Sequence, residues 1–272
     1  MADPVWPTYP WHLLLVSWIG TPPGFLVEHS HRLAGYVVGC CGIALVISLW
    51  RTESRRWVCV LGTVALGAII VQGLLGGFRV KLDQWLGADL AMVHGGFAPV
   101  VFSLLASVVL VTSRGWTAAS ATPPVFNKAC RHLAVATTSL IYLQILFGAL
   151  LRHSYSTWGA RGHLLVAFCV AVSVAFLMRE TVAGARGNWR AAVPAVALAL
   201  LALLQIALGV EAWLLRVSVV GLEAQGIIRT GHVVVGYLML ANAVAVTLQV
   251  CVLSGTRARS LKISAAALGG AA

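Results

Sequence analysis

Long apolar runs alternate with short polar segments along the whole chain. Seven stretches carry no Asp, Glu, Lys or Arg: 33–50, 57–78, 90–113, 133–151, 162–178, 191–210 and 230–256. A helix that crosses a bilayer needs about 20 apolar residues, with a working range of about 17–25. Each stretch meets or approaches that length. Inside lipid the backbone must satisfy its own polar groups, so such runs are read as helices. The pattern predicts an all-α polytopic membrane bundle of seven transmembrane helices, with no soluble domain attached. The expected organisation is an interfacial segment on the outer face over 1–23, an N-terminal half over 24–113 and a cytoplasmic connection over 114–132. A C-terminal half over 133–256 and a cytoplasmic tail over 257–272 follow.

The polar residues at the ends of the runs repeat. Three runs close on the same pattern: Gln72-Gly-Leu-Leu-Gly76, Gln144-Ile-Leu-Phe-Gly148 and Gln205-Ile-Ala-Leu-Gly209. Each is followed by a short connection and then by a run that opens with a histidine. Four histidines hold that place, His31, His94, His163 and His232, separated by 63, 69 and 69 residues. The openings match as well, His31-Arg-Leu-Ala-Gly-Tyr36 against His232-Val-Val-Val-Gly-Tyr237. Gln and Gly four apart share one helix face, and a small residue there lets a flat ligand or a neighbouring helix approach closely. Four such hairpins would make eight helices. Seven are counted, because no helix is seen before His31.

Composition agrees with the membrane reading: 60% of the residues are hydrophobic and 10% are charged. The net charge of +11 is a matter of topology. Of the 19 basic residues, 12 follow the first, third, fifth and last runs, and 7 lie at the other ends. The positive-inside rule then puts the even connections and the C-terminus in the cytoplasm. It leaves the N-terminus and the four histidines toward the outer face of the cell (inner) membrane. No basic face remains for a nucleic acid. Nine of the ten tryptophans lie near run ends or in the adjoining loops, as an interfacial aromatic belt requires.

Residues 1–23 carry five prolines and no positive charge, and Trp11–Gly20 is too short to span. The segment therefore lacks the basic start of a signal peptide. The six cysteines offer no outer-loop pair and no CxxC or CxxCH, so neither a structural disulfide nor covalent haem attachment is expected.

A histidine within an apolar span is costly unless it is paired. One alone is readily explained by an interhelical hydrogen bond. Four at equivalent positions of a repeat point to metal ligation, and haem iron is the leading candidate. Two histidines on facing helices can supply both axial ligands, and the internal symmetry pairs His31 with His94 and His163 with His232. Zinc fits less well, since a structural site needs four converging ligands.

Glu28 lies three residues before His31, on the same helical face. It could handle protons there or merely complement the helix dipole. Arg32, Arg79, Arg161 and Arg229, together with Arg152, cluster near the same boundary. They could pair with haem propionates or snorkel to water. His12, His29, His132 and His153 carry weaker signals.

Three segments, Glu28-His-Ser-His-Arg-Leu-Ala-Gly35, Gln72-Gly-Leu-Leu-Gly-Gly-Phe-Arg79 and Met92-Val-His-Gly95, resemble the haem A synthase family of cytochrome oxidase assembly. The resemblance runs from about Trp6 to about residue 253 and is strongest in the N-terminal half. It implies a fold of two pseudo-symmetric four-helix halves. It implies a haem b cofactor held by His163 and His232, a substrate haem O site lined by His31 and His94, and Glu28 as the catalytic glutamate. The implied reaction oxidises a methyl group of haem O to formyl, giving haem A for terminal oxidases. Beyond lipid and haem O, the candidate partners are an electron donor, the haem O synthase and a second copy of the chain. The chain departs from the family in lacking its first helix, with Trp6-Pro-Thr-Tyr9 resembling the loop that follows that helix. It also lacks an outer-loop cysteine pair found in some members. The competing readings are a dihaem b membrane cytochrome for electron transfer and a non-catalytic haem-binding protein.

Overall fold

The structure, a computed structural model, describes residues 23–121, 126–154, 157–185, 189–215 and 221–253. The N-terminal segment, with Trp6, Trp11, Trp18 and His12, and the basic C-terminal tail lie outside the described residues. The described residues form no strand. They form α1 (Pro23–Thr52), α2 (Arg56–Lys81), α3 (Asp83–Thr112), the short α4 (Arg114–Ala121), α5 (Lys128–Ser154), α6 (Thr157–Ala185), α7 (Trp189–Leu214) and α8 (Leu222–Leu248). The last continues as a π-helical turn over Gln249–Leu253. Seven of them, all but α4, are long and apolar enough to cross a membrane. The chain is a multi-pass, all-helical membrane protein.

The helices run past the charge-free stretches at nearly every end. Lys128, Arg131 and His132 form the first turns of α5, and Glu223 and Arg229 lie in the first two turns of α8. Charged side chains at these depths can send their polar ends to the membrane surface, so they do not stop a helix. Helix ends are marked instead by dipole and cap chemistry. Arg51, Arg79, Lys81 and Arg152 occupy last turns, and Asp83 and Glu223 first turns. Asn127 Oδ1 accepts the Cys130 N–H at 2.7 Å, a side-chain N-cap of α5.

The described residues fall into two compact units, one of 23–108 with 149–154 and the other of 109–148 with 157–253. In the first, α1 and α2 form a hairpin. One face of α2 is built from Val58, Gly62, Ala65 and Ala68, which are buried. Gly62 lies against the buried Leu49 of α1, and Gly42 of α1 lies against Leu66 and Ile69 of α2. Small residues that let helices approach closely are the usual glue in lipid, where apolar burial offers no net drive. The turn itself is polar: Glu53 accepts the Arg55 backbone N–H at 3.0 Å and its guanidinium at 2.9 and 2.6 Å. Leu86, with φ −135° and ψ 17°, breaks α3 near its start and completes the return from α2.

In the second unit the core joins α5, α6, α7 and α8 through Ala134, Val174, Leu177, Leu198, Ala243 and Val246. Thr138 and Thr247 share a hydrogen bond of 2.9 Å between α5 and α8, and Thr247 also donates to the Ala134 carbonyl at 3.1 Å. Outward-facing positions carry large apolar side chains, including Val109, Phe168 and Leu203, which are 66–70% exposed. Apolar surface on that scale belongs against lipid rather than water.

Candidate haem-ligating site

Each compact unit brings one pair of histidines together. In the first, His31 of α1 faces His94 of α3 with ring centres 6.3 Å apart and planes at 84°. In the second, His163 of α6 faces His232 of α8 with ring centres 6.2 Å apart and planes at 63°. These histidines lie roughly two to three turns inside their helices, because the helices begin before the apolar runs do.

The glutamine and glycine of each repeat face the histidine of the next helix. Gln72 donates from Nε2 to the His94 carbonyl at 3.0 Å and lies 3.4 Å from His94 Nε2. Gln205 Nε2 lies 3.3 Å from His232 Nε2. His163 Nδ1 lies 3.2 Å from the Gln144 backbone carbonyl. Gly76, Gly148 and Gly209 underlie the rings of His94, His163 and His232, and a β-carbon there would stand 3.2, 3.2 and 3.0 Å from Cε1. The Gln-x3-Gly spacing was legible in the sequence. That the close approach belongs to the imidazole itself emerges only from the packed helices.

Glu28 and Arg32 form an ion pair at 2.6 Å, with Arg32 nearly buried and Glu28 partly exposed. Their i, i+4 spacing on α1 favours it. Glu28 and Arg32, each a separate candidate from the sequence, are thus one paired unit. Arg79, in the last turn of α2, is exposed. Arg161 lies over the Trp158 ring at 5.9 Å, and Arg229 donates to Gln225 Oε1 at 3.1 Å. His29 is buried and stacks on Phe25, with ring centres 5.7 Å apart. Among the described residues no group of three or more His, Cys, Asp or Glu could hold a metal ion. Each pair offers a metal two imidazole nitrogens, a donor set that suits an iron already held in a porphyrin.

A family model described as cytochrome oxidase assembly protein (COX15-CtaA) matches residues 14–161, more than half of the chain. The chain belongs to this family. Among curated proteins it is similar to the haem A synthase of Shouchella clausii, at 32% identity over 150 residues, covering 52% of this chain and 46% of that protein. It is also similar to the haem A synthase of Halalkalibacterium halodurans, at 30% over 152 residues, covering 54% and 49%. A third, from Lysinibacillus sphaericus, is 32% identical over 139 residues, covering 50% and 44%. The chain thus spans about half the length of these relatives. No solved structure matches it significantly. The family match takes in Glu28, His31, Gln72, Gly76 and His94 and ends before His163. The second pair is linked to the first by the internal repeat and by the similar ring spacing of 6.3 and 6.2 Å.

Proposed function

We propose that the chain is a haem A synthase, which oxidises the haem O methyl group to formyl for terminal oxidase assembly. The observation that carries the haem-ligand part of this reading, which a dihaem cytochrome would share, is the spacing of the two imidazole pairs. With metal–nitrogen bonds of about 2.0–2.1 Å, as zinc makes to histidine, and about 1.1 Å from nitrogen to ring centre, two imidazoles on opposite faces of one metal stand about 6.2–6.4 Å apart. The measured separations are 6.3 and 6.2 Å. The buried Nδ1 atoms of His94 and His232 find no hydrogen-bond partner among the described residues. That fits rings whose function lies in a ligand bond, and the donor set fits haem.

On this reading His163 and His232 hold a haem b cofactor, which supplies a redox-active iron. His31 and His94 bind haem O, the substrate. Glu28, one turn from His31, handles protons at the edge of the bound substrate. Arg32 pairs with the Glu28 carboxylate and holds it in place, and with Arg79 it can offer a cation to a propionate of the substrate haem. Arg161 and Arg229 can do the same for the cofactor. The 12-to-7 division of basic residues supports an orientation with the N-terminus outside and the C-terminus in the cytoplasm. The haem O synthase and a second copy of the chain remain the candidate protein partners.

A dihaem b cytochrome that only passes electrons is the competing reading, favoured by the near-equal spacing of the two pairs. Glu28 separates them, because electron transfer alone has no use for a carboxylate beside the ligand. Glu28→Ala should keep the C-terminal haem b and the fold, stop haem A accumulation and leave haem O on the protein. Haem A made at the wild-type rate by Glu28→Ala would reduce the residue to a helix-end acid and favour the cytochrome.

A further inference from the structure

We infer that the repeated Gln-x3-Gly is a device for orienting histidines, with Gly76, Gly148 and Gly209 as positioning residues for His94, His163 and His232. In an α-helix a side chain at i+4 stands next to the carbonyl of residue i, which is why Ser and Thr bond back to it. Such back-bonds occur in this protein from Thr63 to the Cys59 carbonyl at 3.0 Å and from Ser107 to the Ser103 carbonyl at 2.7 Å. With glycine at i+4, the carbonyl of the glutamine is open to a group from the next helix.

His163 uses that opening, since its Nδ1 lies 3.2 Å from the Gln144 carbonyl. A carbonyl only accepts, so Nδ1 carries the proton and Nε2 keeps its lone pair. The ring edge lies over Gly148, where a β-carbon would stand 3.2 Å from Cε1 and 3.4 Å from Nδ1.

In the first hairpin the Gln72 amide nitrogen donates to the His94 carbonyl at 3.0 Å and lies 3.4 Å from His94 Nε2. In the third the Gln205 amide nitrogen lies 3.3 Å from His232 Nε2. In all three hairpins the edge formed by Cε1 and Nδ1 lies on the glycine, with Nδ1 at 3.7, 3.4 and 3.5 Å from the place of a β-carbon. Glycine therefore sets the depth and the turn of the ring in all three hairpins, and in the middle one the glutamine carbonyl engages Nδ1 and leaves Nε2 free to bind a metal. An outer partner of this kind fixes tautomer and orientation and is worth about 10–100-fold in metal affinity.

The inference rests on the haem-ligand reading for its purpose, and the test separates the two. In the purified full-length protein, Gly148→Ala displaces the ring, and Gly148→Ser places a hydroxyl that bonds back to the Gln144 carbonyl. Both should weaken retention of the C-terminal haem about 10-fold or more. Gly148→Ser should also raise its midpoint potential, because an axial imidazole that loses its Nδ1–H acceptor donates less charge to iron. Gly226→Ala, on α8 with open space around it, is the control and should leave both unchanged. Unchanged retention and potential in both Gly148 variants would overturn the inference while leaving the haem assignment standing. A wild-type protein that binds no haem overturns the haem assignment instead. Nitrogen-15 NMR of the histidines in full-length protein from haem-deficient cells then decides the inference, and also does so should the Gly148 variants fail to fold. His163 protonated at Nδ1 supports it, and His163 protonated at Nε2 overturns it.

Discussion

The turn between α1 and α2 should carry a measurable, acid-sensitive part of the stability of the first hairpin. Glu53 receives the Arg55 backbone N–H and two guanidinium bonds, and this holds its carboxyl down from 4.5 to about 2. The largest cause is the side-chain bond from Arg55, whose own pKa is raised in return. Shielded from water, a displacement from 4.5 to about 2 would amount to about 3 kcal/mol at about 1.4 kcal/mol per pH unit. The pair stands at the membrane face within reach of water, where exposed ion pairs contribute about 0.2–1 kcal/mol. The expected contribution at neutral pH is therefore about 1 kcal/mol.

Because the folded-state pKa lies below the unfolded one, the stabilisation is complete above 4.5 and is lost as the pH falls toward 2. Denaturant unfolding in mixed micelles, followed by circular dichroism, should show Glu53→Gln costing about 1 kcal/mol at about pH 7 and less than half of that at about pH 3. A double-mutant cycle with Arg55→Ala should assign most of the loss to the pair. A Glu53→Gln cost that stays constant from about pH 7 to about pH 3 would refute the reasoning, since an ionised Glu53 could not then be its source.

Two further outcomes follow from the placement of the histidines and the basic residues. His163→Ala or His232→Ala should abolish the low-spin bis-histidine spectrum of haem b, and an unchanged spectrum in both variants would remove that assignment. A reporter fused after residue 272 should behave as cytoplasmic and one inserted near Trp158 as external; the reverse pattern would invert the topology.

Much of the fold was legible because lipid imposes a simple rule. Charge-free runs gave the number of spans directly. They misplaced the ends, because Lys128, Arg131, Glu223 and Arg229 continue their helices at depths where a charged side chain can still reach water. The four histidines stood out by their recurrence, since ordinary lipid-facing positions have no reason to repeat a polar group. Contacts between residues far apart in the chain were not legible. Gly148 under the His163 ring and the Thr138–Thr247 bond depend on how helices turn about their own axes, which a sequence of nearly uniform hydrophobicity leaves open. The Glu28–Arg32 pair was within reach of the i, i+4 rule, but each residue already had a separate assignment.

The most direct test of the central claim is the pigment carried by the purified full-length protein, extracted and separated chromatographically. A haem A synthase should yield haem O or haem A together with haem B, the first two lost with His31→Ala or His94→Ala and the last with His163→Ala or His232→Ala. Haem B alone, at two per chain and lost from either pair in turn, would contradict the synthase and identify a dihaem cytochrome.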